Sequence, residues 1–238
     1  MQNVENMDIA GVVKTSLCDY PGKVASVIFT SGCNFNCPYC HNHQLIKREE
    51  NISEKEILNF LNTRINHIDG VVISGGEPCM QENIVSFCKK IKSLGFKIKL
   101  DTNGSYPFVL EELLNLELLD YVAMDIKAPI YKEKIKEITG INNDVDKLII
   151  NLLKSITELK NSNIEFEFRT TLIKELHSHR DIFQMSLYGQ KNYKLQQFNN
   201  EKVNKIKYRN YTTYSDIEIE QICKMIKEEL PLLNISHQ

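Results

Sequence analysis

Short runs of β-branched and aromatic residues recur along the chain, each followed by a stretch whose apolar residues return every three or four positions. The short runs are Ala25–Thr30, Gly70–Ser74, Lys97–Asp101, Tyr121–Asp125, Ile164–Thr171 and Tyr193–Phe198. Their length and their flanking Gly, Pro and Asn residues predict strands. Helical patterns lie between them. Ser53-Glu54-Lys55-Glu56 has the form of a capping box and opens a helix with Ile57, Leu58, Leu61 and Ile65 on one face. Further helices are expected over Asn83–Leu94, Pro107–Leu116 and Ser215–Leu230, and over Asp144–Lys160 with Ile149, Leu152, Leu153, Ile156 and Leu159 as its stripe.

Strands alternating with helices imply a parallel sheet joined by crossovers. Six such units predict an α/β fold, a partial (β/α)6 barrel of parallel strands, although an open doubly wound sheet satisfies the same periodicity. No repeat or Gly/Ser linker divides the chain, so residues 1–238 read as one domain, with a core of about 11–198 and a loop plus C-terminal helix over 199–238. The polar tract from Asn199 to Tyr214 reads as a mobile loop.

In parallel α/β folds, reactive groups collect at the C-terminal edge of the sheet. Here the first strand runs into Ser31-Gly32-Cys33, the second into Gly75-Gly76-Glu77-Pro78 and the third into Asp101-Thr102-Asn103-Gly104. The fourth ends at Asp125-Ile126-Lys127, and the fifth carries Arg169. Packing gives no reason for such a row of glycines and polar groups at one edge.

Composition narrows the class of protein. A formal net charge of -2 offers no basic surface for nucleic acid, and the clusters Lys89–Lys92 and Lys132–Lys136 alternate with apolar residues as solvated helix faces do. No apolar run approaches the roughly 20 residues that span a bilayer, and Met1–Ala10 lacks the basic-then-apolar order of a secretory signal. A cytoplasmic, reducing location is therefore expected. The seven cysteines are Cys18, Cys33, Cys37, Cys40, Cys79, Cys88 and Cys223, an odd count that argues against a disulfide framework.

Three of them stand in Cys33-Asn34-Phe35-Asn36-Cys37-Pro38-Tyr39-Cys40, a C-x3-C-x2-C spacing. Thiolates suit iron–sulfur clusters and zinc. A zinc site would need His41 or His43 as a fourth ligand, because no second CxxC pair is present. A [4Fe–4S] cluster held by three thiolates keeps one iron open for another ligand.

This spacing, with an aromatic before the last cysteine, resembles the signature of the radical-SAM superfamily. The resemblance implies that Cys33, Cys37 and Cys40 ligate a [4Fe–4S] cluster whose open iron chelates S-adenosylmethionine, and that Tyr39 lies near the adenine. Gly75-Gly76-Glu77-Pro78 resembles the family's GGEP motif, in which Gly75, Gly76 and Glu77 would receive the methionyl ammonium. Asp101-Thr102-Asn103-Gly104 and Met124-Asp125-Ile126-Lys127 look like motifs of the glycyl-radical-enzyme activases. There the two aspartates help to hold a monovalent cation and the lysine contacts the carboxylate of S-adenosylmethionine. Asn103 and Arg169 are carried over to the same site.

Lys14-Thr15-Ser16-Leu17-Cys18-Asp19-Tyr20-Pro21-Gly22, Cys40-His41-Asn42 and Leu195-Gln196-Gln197-Phe198 are most similar to the activating proteins of anaerobic ribonucleoside-triphosphate reductase. The likeness runs from about Gly11 to Phe198. It implies a glycyl-radical enzyme as partner, that reductase first, and an electron donor such as flavodoxin or ferredoxin. No cysteine lies between Cys40 and Gly70, so extra clusters are not expected. Asn199 stands where activases of formate lyase have a histidine, which counts against that partner. Within the same chemistry the alternative is a small-molecule enzyme such as a 7-carboxy-7-deazaguanine synthase. His41 and His43 are expected to support the cysteine loop, Cys79 to lie near the site, and Cys18, Cys88 and Cys223 to act as small hydrophobes.

Overall fold

The computed structural model describes residues 6–47, 52–189, 192–201, 203 and 205–237. Eight strands form one sheet: β1 (Ile9–Ser16), β2 (Ala25–Thr30), β3 (Gly70–Gly75), β4 (Lys97–Thr102), β5 (Tyr121–Asp125), β6 (Glu165–Leu172), β7 (Asn192–Gln197) and β8 (Asn234–His237). Their order in space is their order in the chain. A doubly wound sheet reverses direction at a switch point, and this one never does. The architecture is therefore the barrel type, left open between the edge strands β1 and β8. From β2 to β8 every neighbouring pair is parallel, whereas β1 runs antiparallel to β2.

The six expected strands are all present, and the edge strands β1 and β8 are additional. The helices are α1 (Glu54–Asn62), α2 (Ile84–Ser93), α3 (Pro107–Asn115), α4 (Lys132–Thr139), α5 (Val145–Asn161), α6 (His179–Ser186) and α7 (Asp216–Glu229). The Ser53 hydroxyl caps α1 and Glu56 returns the bond, so the capping box forms as expected. Ile57 and Leu61 are buried, but Ile65 lies past the helix end and is exposed. The stripe of α5 also differs from expectation. Leu152, Ile156 and Leu159 face inward with Val145 and Leu148, while Leu153 is exposed.

Because side chains alternate across a strand, the sheet has two interiors. Ile28, Ile73, Leu100, Val122, Met124 and Phe168 point outward into the main core beneath the helices. Tyr20, Val27, Val72, Tyr121 and Ala123 form a separate apolar plug on the concave side. Above that plug the same inward rows turn polar. Lys99 and Asp101 follow on β4, Asp125 on β5, and Glu167, Arg169 and Thr171 on β6. The sheet's own register thus carries these groups from a closed floor to its C-terminal rim.

The tract 199–214 is not the free loop expected from its polarity. Val203, Tyr208 and Tyr214 are buried, and a 3-10 turn spans Ile206–Asn210. Tyr214 donates from its hydroxyl to the carbonyl of His177 at 2.7 Å, and Lys205 N–H donates to the Pro38 carbonyl at 3.1 Å. Both bonds anchor the tract beside the rim.

Candidate functional site

The cysteine loop leaves β2 and is held by backbone bonds from several directions. Gly32 and Cys33 donate to the carbonyls of Leu45 and Ile46, and Asn36 N–H donates to the Thr139 carbonyl at the end of α4. Gly140 terminates α4 with φ +72°, and a Cβ there would stand 2.5 Å from the Asn36 carbonyl oxygen. Glycine supplies both the left-handed conformation and the room.

The GGEP turn presses on the loop from the other side. Glu77 N–H donates to the Gly32 carbonyl at 2.9 Å. A Cβ on Gly76 would lie 2.1 Å from that same carbonyl oxygen. The turn needs glycine so that two backbones can touch.

Glu77 itself is fully buried. Its carboxylate accepts from Thr102 Oγ1 at 2.7 Å, Asn103 N–H at 2.7 Å and Cys79 N–H at 3.0 Å. Burial raises its pKa while these three bonds oppose the rise. The Glu77 side chain, expected to face a methionyl ammonium, lies behind the cavity wall. The carboxylate is consumed in tying the turns after β3 and β4 together, and the backbone of Gly75 and Gly76 forms the cavity wall.

Asn103 plays a double part. It lines the cavity, and its Nδ2 donates to Asn34 Oδ1 at 3.0 Å while its Oδ1 accepts from Ser105 N–H at 2.9 Å. Asn34 Nδ2 in turn donates to Ser105 Oγ at 2.9 Å. This closed polar clasp joins the cysteine loop to the turn after β4. Asn34 lay inside the quoted motif without a role, and Ser105 one residue beyond one; neither spacing nor chemistry distinguished them beforehand.

On the opposite wall, charges interleave. Arg169 Nε donates to Asp125 Oδ1 at 3.0 Å, and Nη1 lies 3.5 Å from Asp101 Oδ2. Lys99 pairs with Asp101 at 2.6 Å and Lys127 with Asp125 at 3.0 Å. Burial alone would push Asp125 up, but Lys127 and Arg169 override it and hold the carboxyl down to about 2. These cations already neutralise both aspartates, so a bound monovalent ion would have to compete with them.

Cys33, Cys37, Cys40 and Tyr39 share one open cavity of about 230 Å³ with Gly75, Gly76, Asp101, Asn103, Asp125, Lys127 and Arg169. The structure thus brings together every residue expected at the site except Glu77, which lies behind the wall. Burial drives the Cys37 thiol up to about 12, and burial together with Glu77 drives Cys33 up to about 11. Cys40 is raised by burial as well. Such thiols stay protonated until a metal displaces the proton. Three soft donors at one rim suit a cluster in which each iron takes its own thiolate. Among the described residues no group of three His, Cys, Asp or Glu side chains converges on a single ion, as a zinc site requires.

The remaining candidates divide. His41 lines the cavity, stacks on Phe198 at 5.8 Å and bonds through Nε2 to the Asn199 carbonyl, whereas His43 is exposed. Tyr39 meets the edge of Phe198 at 6.4 Å. Cys79 is buried next to Glu77 but outside the cavity. Cys88 and Cys223 are buried as expected; Cys18 is not a core residue but exposed, beside Ser16 and Asp19. None of the seven cysteines forms a disulfide.

A parallel open barrel with three cysteines at its rim defines a cluster-dependent enzyme class, and the sequence comparisons identify it. Residues 27–183 match the model of the Radical SAM superfamily, so the chain belongs to that family. Membership implies a [4Fe–4S] cluster and S-adenosylmethionine. Two proteins of Methanocaldococcus jannaschii, both provisionally named glycyl-radical enzyme activating enzymes, are 38% and 33% identical to it. The first match covers 73% of this chain and 72% of that protein, and the second covers 61% and 55%.

Solved structures share the fold. SuiB of Streptococcus suis bound to precursor peptide SuiA aligns with a TM-score of 0.66 at 15% identity, over 89% of this chain and 48% of that one. QueE from Escherichia coli aligns at 0.58 and 14% identity, over 98% and 94%. Among the described residues no helix is long and apolar enough to cross a membrane.

Proposed function

We propose that this chain is a glycyl-radical-enzyme activase and that its partner is the anaerobic ribonucleoside-triphosphate reductase. The observation that carries the reading is the single cavity shared by Cys33, Cys37, Cys40 and the charged strand ends Asp125, Lys127 and Arg169. The reductase as partner is supported by the motifs around Asp19, His41 and Phe198. A glycyl-radical enzyme of some kind is supported by the names of the two archaeal relatives.

In this reading Cys33, Cys37 and Cys40 hold the cluster, and Tyr39 lies along the adenine. Lys127, cationic beside Asp125, takes the carboxylate of S-adenosylmethionine, while the exposed backbone edge of Gly75 and Gly76 accepts from its ammonium. When bound and reduced by a donor such as flavodoxin or ferredoxin, the cluster supplies one electron that splits S-adenosylmethionine into methionine and a 5'-deoxyadenosyl radical, which takes the α-hydrogen of a glycine. Asp125 and Arg169 fix the position of Lys127 through the charge ladder. Asp101 and Asp125 would hold a monovalent cation only by loosening that ladder. Burial of the floor by Tyr20 and Tyr121 keeps water out from below.

The test is anaerobic. Protein reconstituted with iron and sulfide, given S-adenosylmethionine and dithionite, should release 5'-deoxyadenosine. Adding the anaerobic reductase should produce a glycyl-radical doublet in its EPR spectrum. 5'-Deoxyadenosine without that doublet, on any glycyl-radical enzyme offered, refutes the activase and leaves a small-molecule radical-SAM enzyme.

A further inference from the structure

We propose that His177 is a positioning residue that sets the place of Lys127 and thereby the affinity for S-adenosylmethionine; this rests on the role of Lys127 proposed above. His177 is fully buried, outside the cavity, in the turn between β6 and α6. Its Nδ1 accepts from Ile173 N–H at 3.1 Å. With that nitrogen an acceptor, Nε2 carries the hydrogen and donates to the Lys127 carbonyl at 3.0 Å. The Lys127 turn leaves β5 without regular structure, so its course depends on such tethers. One residue earlier, Thr170 Oγ1 donates to the Ile126 carbonyl at 2.6 Å and also bonds the Tyr193 hydroxyl at 2.6 Å.

A buried imidazole with both nitrogens committed is a rigid spacer between two turns at the rim. Loss of its donor end frees the Lys127 backbone while Ile173 is untouched. A merely structural histidine would matter equally at both ends.

Two substitutions separate the ends. In H177N the amide oxygen overlies Nδ1 and keeps the Ile173 bond, but the shorter side chain does not reach Lys127. In H177Q the amide nitrogen reaches the Lys127 carbonyl. Dissociation constants for S-adenosylmethionine are measured by equilibrium dialysis on the anaerobically reconstituted protein without reductant, so that nothing turns over. H177N should bind about tenfold more weakly than the parent, and H177Q should stay within about threefold. In a K127M background, H177N should add nothing further. Parental affinity in H177N, or an equal loss added on top of K127M, overturns the proposal. If H177N does not fold, as judged by thermal melting of the apoprotein, Y214F loosens the same tether by removing the bond to the His177 carbonyl. Its affinity should then fall about threefold, and an unchanged value overturns the proposal. A parent that binds no S-adenosylmethionine, with its cluster loaded, overturns the reading of the whole site as well.

Discussion

Arg169 reaches from β6 across to β5 and donates from Nε to Asp125 Oδ1 at 3.0 Å, with its other face toward Asp101. The Arg169 side chain is 14% exposed and that of Asp101 16%, so water screens these charges little. Removing the cation leaves Asp101 and Asp125 with one lysine each, Lys99 and Lys127, and without the charge that bridges them. The expected result for R169Q is a loss of about 3 kcal/mol in urea denaturation of the apoprotein. R169Q/D125N should lose less than the sum of the two single losses, because both substitutions remove the same contact. Losses that simply add in the double variant would show that the pair is not coupled.

Gly76 offers a purely steric test. A methyl group there would lie 2.1 Å from the Gly32 carbonyl oxygen, which is backbone and has nowhere to rotate. G76A must therefore displace the start of the cysteine loop. Iron loading after reconstitution should fall to less than about half of the parent's, with a visible loss of cluster absorbance. Full loading with parental 5'-deoxyadenosine release would refute the close backbone approach.

The cysteines separate into ligands and bystanders by position. C33A, C37A and C40A should each abolish 5'-deoxyadenosine release and lower iron bound per chain. C18A and C223A should load and turn over as the parent does, since one is exposed, the other is a buried residue of α7, and neither lines the cavity. C79A is the informative intermediate. Its thiol is buried beside Glu77 but outside the cavity, so a stability loss of about 1 kcal/mol with an intact cluster is expected.

Strand positions were legible because parallel strands buried on both sides read as compact apolar runs, and all six are found. Barrel and doubly wound sheets could not be told apart, since periodicity reports which face is buried and not which strand lies next to which. The edge strand β1 carries Gly11 and breaks its register with β2 twice, and β8 is four residues long, so neither gave a clear period. The short helices α4 and α6 were not expected, although the chain carries their end signals. Gly140 closes the first, and Ser178 with Asp181 forms a capping box on the second. Residues that repeat a motif converge on one cavity. The side-chain direction of Glu77 was not legible, because a motif names a residue and not the partners that bury it. His177 was invisible, lying 50 residues from the carbonyl it holds.

The acid response of the protein should carry the mark of that histidine. Burial holds the folded His177 down to about 4, below the ordinary value of about 6.5. Lys134 opposes its charging, while Asp181, Glu137 and the Lys127 carbonyl favour it and are outweighed. Between these two values the unfolded chain binds a proton that the folded chain does not. Its contribution is thus complete above about pH 6.5, shrinks as pH falls and is gone near pH 4, at about 1.4 kcal/mol per unit and about 3 kcal/mol in all. Asp125, held to about 2, acts in a separate window, losing its contribution only as pH falls from the ordinary carboxylate range toward 2. Urea melts of the parent and H177Q between pH 7 and 2 separate the two. The parent's slope should flatten in H177Q, while the steeper loss below pH 4 stays. Parallel curves across the whole range would mean that His177 is not the group being titrated.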